Sequence, residues 1–68
     1  MKLFVVSFVN LFDNEPKIKF VRVESEADAL DAVLRTQGHE ELPIGVEALE
    51  AYAFDCDCLI KAAEVPHD

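Results

Sequence analysis

The sequence is poor in the residues that build catalytic loops and basic binding surfaces. It has no Trp, two glycines, two cysteines and six bases among 68 residues. Because the glycines are only Gly38 and Gly45, no glycine-rich phosphate loop is present. Ser7 lacks the Gly-x-Ser-x-Gly turn that exposes a hydrolase nucleophile. We therefore predict no catalytic residue and no cofactor, and we expect that the protein is not an enzyme.

Long apolar runs are also missing. The longest, from Leu3 to Val9, contains Ser7 and is far shorter than the roughly 20 residues that cross a bilayer. We see no signal peptide, and a disulfide between Cys56 and Cys58 would close a strained ring. We therefore expect no membrane binding and a reducing, cytoplasmic location.

The densest group of potential metal ligands is Asp55-Cys56-Asp57-Cys58. Structural zinc needs four ligands, usually from Cys-x₂₋₄-Cys pairs, and neither His39 nor His67 stands at a motif spacing from this group. We interpret the group as a helix-to-strand turn with one buried and one partly exposed thiol, and we predict no metal site. His39 is expected in an exposed loop and His67 in a terminal tail.

Charge is the most informative bulk property. Fourteen acids and six bases give a formal net charge of −8, and residues 24–57 contain ten of the acids and a single base, Arg35. Such a segment repels nucleic acid and anionic membranes and attracts basic surfaces. We therefore predict no direct nucleic-acid binding and a protein partner with a basic surface.

Hydrophobic periodicity predicts the elements of one domain, residues 1–68. Residues 2–12 and 17–24 are predicted as two strands of a hairpin, joined by a turn at Asp13-Asn14-Glu15-Pro16. Ser25 is predicted to cap a helix that ends at Gly38. The spacing of Val46, Leu49, Tyr52 and Ala53 predicts a second helix, and residues 58–65 a third strand.

The order β-β-α-α-β indicates an α+β fold. We predict a three-stranded antiparallel sheet of strand order 2-1-3, with both helices on one face. The apolar residues of the second strand change phase at Phe20-Val21, which fits either a bulge or an edge strand with mixed faces.

The first strand is apolar on both faces, so one face is left without helices. An exposed apolar patch of this kind usually marks an interface. We expect a homodimer or a partner contact there, with Phe4, Val6 and Phe8 as candidate contact residues. A curled sheet, or a chain end folded beneath the sheet, is the alternative.

The acidic helices fit two interpretations. Acidity is a common means of solubility. Alternatively, the carboxylates imitate the phosphate array of nucleic acid and occupy a basic groove on another protein. The candidate contact residues for that surface are Glu24, Glu26, Asp28, Asp31, Glu40, Glu41, Glu47 and Glu50.

Four segments form a recognisable layout: the opening MKLFVVSFVN, Asp13-Asn14-Glu15, the helix start Ser25-Glu26-Ala27-Asp28-Ala29-Leu30, and residues 53–60. This layout resembles that of small accessory proteins of bacteriophages. Within that group, acidic anti-CRISPR and anti-restriction inhibitors are similar in size and charge. The resemblance implies inhibition of a host defence protein or polymerase by direct binding in the bacterial cytoplasm, and it carries over no catalytic residue. The basic second strand, with Lys17, Lys19 and Arg22, departs from a pure nucleic-acid mimic.

The sequence therefore predicts a non-enzymatic, phage-like inhibitor that binds a nucleic-acid-handling protein. The alternative is a homo-oligomeric structural or small-ligand-binding module.

Overall fold

The structure is a computed structural model that describes residues 1–66. Its elements are the strands β1 (Lys2–Asn10), β2 (Glu15–Val23) and β3 (Cys58–Glu64) and the helices α1 (Glu26–Thr36) and α2 (Val46–Asp55). The sheet is antiparallel with the order β2-β1-β3. The predicted α+β class, element order and strand order are therefore confirmed. His67 lies outside the described residues.

Strand β2 is an edge strand without a bulge. Its pairing with β1 runs without interruption from Lys2 opposite Val23 to Asn10 opposite Glu15. Its apolar residues change phase because its two apolar pairs point to opposite faces of the sheet. Val21 and Val23 are half-buried against the core, while Ile18 and Phe20 are exposed on the other face.

Helix α1 begins and ends where the sequence predicts. The Ser25 hydroxyl accepts a hydrogen bond from the Asp28 amide at 3.2 Å, which satisfies one of the free N–H groups of the first turn. At the other end the His39 and Gly38 amides donate to the carbonyls of Leu34 and Arg35, both at 3.1 Å. Gly38 has φ +92°, a conformation that favours glycine, and these bonds form a Schellman cap.

The core lies between the sheet and the helices. Helix α1 crosses all three strands, whereas α2 packs against β3 and α1. Strand alternation directs every second residue toward the helices, and the buried residues are Phe4, Val6, Phe8, Ala29, Leu30, Val33, Leu34, Leu49, Ala53, Cys58, Ile60 and Ala62.

Phe4, Val6 and Phe8 are therefore not free to form an oligomer contact. They are 4%, 0% and 3% exposed and face the helices. The assignment of these three residues to an intermolecular surface was wrong, because helix packing within the chain already buries them. The uncovered face of β1 carries Leu3, Val5, Ser7 and Val9.

Candidate binding surfaces

The outer side of α1 is the centre of the acidic surface. Because Leu30 and Leu34 face the core, the residues on the opposite side of the helix project outward. Asp28 and Asp31 line a shallow cleft of about 200 Å³ between α1 and the loop that contains Ile44.

The Asp31 carboxylate is not free, because it forms an ion pair with Arg35, which lies one helical turn later. Nε of Arg35 lies 2.6 Å from Oδ1 of Asp31. The hydrogen bond and charge of Asp31 raise the pKa of Arg35, and the charge of Glu40 adds to the rise. The structure therefore brings Asp31 and Glu40 close to the one base of the helical layer.

Glu50 lies apart from this cluster. It projects from α2 toward the edge of β3, where its Oε2 is 3.3 Å from Nζ of Lys61. That oxygen is buried and has no aligned hydrogen-bond donor among residues 1–66, so the contact with Lys61 is an ion pair by distance only. Glu50 therefore contacts the edge of β3, which the spacing of the acids in the sequence does not show.

Six of the eight predicted acids remain as candidates for a common acidic surface. Glu26 is half-buried and the other five are exposed. The six are Glu24, Glu26, Asp28, Glu40, Glu41 and Glu47.

Charge is segregated between the two layers of the fold. From α1 to the turn after α2, residues 26–57 contain nine acids and one base. The three strands contain five of the six bases and only two acids. The basic strand β2 is thus part of a sheet layer that differs in charge from the helices, which accounts for the mixture of signs in the sequence.

The uncovered sheet face is apolar. Ile18, Phe20 and Leu59 are 59%, 64% and 49% exposed. Phe20 pairs with Val5, and Leu59 pairs with Val9, so these side chains share one face with the outward residues of β1. The sequence predicted an uncovered apolar face but assigned it to the wrong residues of β1.

A groove lies where this face meets the edge of β3. It has a volume of about 470 Å³, and its apolar lining includes Val9, Phe54 and Leu59, while Ser7, Glu50 and Lys61 add polar groups. Phe54 comes from the end of α2 and is 64% exposed. Phe54 was not among the predicted site residues, because a helical pattern does not show which residue reaches past a sheet edge.

The cysteine turn has the predicted arrangement of thiols. Cys58 is buried, Cys56 is half-buried, and both are free. Burial raises the pKa of the Cys58 thiol, and the charges of Cys56 and Asp57 raise it further. Residues 1–66 contain no group of three or more His, Cys, Asp or Glu side chains placed to hold a metal ion.

His39 is not the exposed loop residue that the sequence predicted. It is half-buried, and its Nδ1 lies 3.0 Å from the hydroxyl of Tyr52. The contact joins the segment after α1 to α2, which gives His39 a structural role.

None of the helices within residues 1–66 has the length and apolar character needed to cross a membrane. Comparison of the chain with protein-family models, curated proteins and solved structures found no match. Its function is therefore inferred from its own geometry and charge.

Proposed function

We propose that this chain is a non-enzymatic, bacteriophage-type inhibitor that binds a host nucleic-acid-handling or defence protein. The partner class is a CRISPR–Cas effector, a restriction enzyme or a polymerase. The single observation that carries the proposal is the segregation of charge, with nine acids and one base in the helical layer. A groove that binds nucleic acid is adapted to duplex DNA, which presents about one charge per 1.7 Å of axis. An acidic layer with few bases competes for such a groove.

The centre of the proposed contact is four of the exposed acids on the helical layer. These are Asp28, Glu40, Glu41 and Glu47. Asp31 and Glu50 are left out, because Asp31 is paired with Arg35 and Glu50 contacts Lys61 at the edge of β3. Solubility, the competing explanation of acidity, depends on the net charge and not on where the charges lie. Only the binding explanation therefore predicts that the effect of removing charges depends on where those charges lie.

The test is displacement of a fluorescent DNA duplex from purified bacterial proteins. The panel contains a Cas effector, a restriction enzyme and an RNA polymerase, each measured at low and at physiological salt. We expect this chain to displace DNA from at least one of them. Displacement should weaken as salt rises, because exposed charges are screened beyond about 8 Å at physiological ionic strength.

A matched pair of variants separates position from net charge. The first variant carries Asp28→Asn, Glu40→Gln, Glu41→Gln and Glu47→Gln. The control removes three exposed charges outside the helical layer and one at the C-terminal end of α2, through Asp13→Asn, Glu15→Gln, Glu64→Gln and Asp55→Asn. We expect at least about tenfold weaker displacement for the first variant only, a loss of about 1.4 kcal/mol. No displacement from any protein at low salt, or equal weakening by both variants, would contradict the proposal.

A second candidate function is a homo-oligomeric or small-ligand-binding module. The groove beside β3 favours it, since its volume of about 470 Å³ and its apolar lining are typical of ligand pockets. Light scattering over a range of concentrations tests self-association. A thermal-shift screen of small apolar carboxylates and amines tests the groove, and a shift that Phe54→Ser abolishes would support ligand binding there.

A further inference from the structure

The uncovered face of the sheet combines apolar side chains with positive charge. Its strand positions follow from the register and the alternation of side chains. They are Leu3, Val5, Ser7, Val9, Pro16, Ile18, Phe20, Arg22, Leu59, Lys61 and Ala63. Arg22 and Lys61 are the charged residues among them, and none is a carboxylate, although acids outnumber bases by fourteen to six in the chain.

We propose that this face is a docking site for an amphipathic α-helix with acidic flanks, supplied by another protein. The proposal is independent of the acidic helical layer, which lies on the other side of the sheet. The dimensions of the face favour a helix, and its positive charge favours acidic flanks on that helix.

The dimensions of the face match one helix. Strands β1 and β2 are nine residues long, so the face is about 30 Å long and, across three strands, about 14 Å wide. An α-helix of about 20 residues is about 30 Å long and about 10–12 Å across. One such helix would cover the exposed side chains of Ile18, Phe20 and Leu59.

A second copy of this chain fits less well. Face-to-face packing of two such sheets would cover the same exposed side chains, Ile18, Phe20 and Leu59. It would also bring Arg22 and Lys61 of both copies together without a carboxylate from either sheet face. Like charges in an interface are unfavourable, which disfavours self-pairing.

The positions of the two bases define the spacing of the acids on the partner. Arg22 lies opposite Leu3 and Lys61 opposite Ser7, on the two sides of β1. Their backbones are therefore about 16 Å apart, or about three helical turns. Glu50 contacts Lys61 from beyond the sheet edge, but the Lys61 side chain is 75% exposed, and exposed ion pairs are weak. A partner carboxylate is therefore able to compete for Lys61.

The groove beside β3 supplies an anchor point. Its apolar residues Val9, Phe54 and Leu59, together with the polar residues Ser7, Glu50 and Lys61, line a concavity at one end of the face. Helices that bind to apolar surfaces place side chains at i, i+3, i+4 and i+7 against the partner. One large apolar side chain of the docked helix would enter this groove.

The test uses synthetic peptides of about 20 residues with Leu and Phe at that spacing. The acidic probe has two Glu residues eleven positions apart beside the apolar stripe, and the matched probe has Lys at the same positions. A scrambled acidic peptide is the control for charge alone. Binding is measured by NMR titration of the ¹⁵N-labelled chain, which also reports whether each variant is folded.

We expect the acidic probe to bind and to shift the amide signals of Val5, Ser7, Phe20 and Leu59. Phe20→Ser and Ile18→Ser, each at an exposed position of β2, should weaken binding at least about tenfold, as expected for apolar anchor residues. Ile44→Ser should not, because Ile44 is 97% exposed in a loop remote from this face. Arg22→Glu combined with Lys61→Glu should reverse the preference toward the Lys probe.

Three results would overturn the proposal. The first is the absence of binding by the acidic probe, and the second is equal binding of the acidic, Lys and scrambled peptides. The third is a stable dimer in light scattering that Phe20→Ser converts to monomer, because the occupant of the face would then be a second copy.

Discussion

His39, which follows α1, contacts Tyr52 of α2 through its side chain. Nδ1 of His39 is 3.0 Å from the Tyr52 hydroxyl, and the rings meet edge to face with centroids 5.4 Å apart. The contact links the segment after α1 to a residue thirteen positions later in α2. Burial raises the pKa of the Tyr52 phenol, and the charge of nearby Cys56 adds to the rise.

Removal of this hydrogen bond should destabilise the fold. We expect Tyr52→Phe to lower the free energy of unfolding, because the ring packing remains and only the hydroxyl, with its hydrogen bond, is lost. The measurement is urea denaturation followed by circular dichroism. In a His39→Ala background the same Tyr52→Phe change should cost less. Equal costs in both backgrounds would show that the two residues are not coupled.

Phe8 and Phe20 provide a direct test of which sheet face is covered. Phe8 is 3% exposed under the helices and Phe20 is 64% exposed on the opposite face. We expect Phe8→Ala to cost about 3–5 kcal/mol, which is a large part of the stability of a domain of this size. Phe20→Ala should change the free energy of unfolding by no more than about 0.5 kcal/mol. Similar costs for the two substitutions in urea denaturation would contradict the assignment of the faces.

The fold was predictable because its local signals agree with each other. Ser25 and Gly38 mark the ends of α1, and the apolar first strand can only be central. The choice of the covered face was not predictable from β1, since Phe4 and Val5 are equally apolar. The informative residue is Lys61 of β3. It pairs with Ser7, so that two polar residues lie on one face of the sheet, and this is the face that the helices leave uncovered.

The candidate site was predictable only in part. Asp31 and Arg35 stand four residues apart on a helix, so their pairing follows from local geometry. The contact of Glu50 with Lys61 depends on how α2 packs beside β3, which residue spacing does not define. The same tertiary packing places Phe54 in the groove. The sequence therefore shows where acids are concentrated along the chain but not which of them contact bases.

The C-terminal cap of α1 should depend on Gly38. Its φ of +92° strains any residue with a Cβ, although nothing lies within 4 Å of the position that a Cβ would occupy. We expect Gly38→Ala to lower the free energy of unfolding by about 1–2 kcal/mol through backbone strain alone. Gln37→Ala is the control, because Gln37 has φ −93°. A cost for Gly38→Ala no larger than that of the control would refute this account of the cap.

The two thiols should differ in reactivity although they are two residues apart. Cys58 is 3% exposed and burial raises its pKa, so its neutral form predominates at neutral pH. Cys56 is half-buried and lies at the end of α2. Because the thiolate is the reactive form, we expect a disulfide reagent to label Cys56 first and Cys58 only at the rate of unfolding. Cys56→Ser and Cys58→Ser variants assign the two phases.

The same shift in the pKa of Cys58 predicts the direction of a pH effect on stability. The folded state holds the thiol proton more tightly than the unfolded chain, whose thiol pKa is about 8.5. The contribution of the neutral thiol is therefore fully present below about pH 8.5 and is lost as pH rises through the folded-state pKa. Urea denaturation at a series of pH values should show this loss in the native chain and a smaller one in Cys58→Ala. An identical pH dependence in both proteins would show that burial of Cys58 is not its cause.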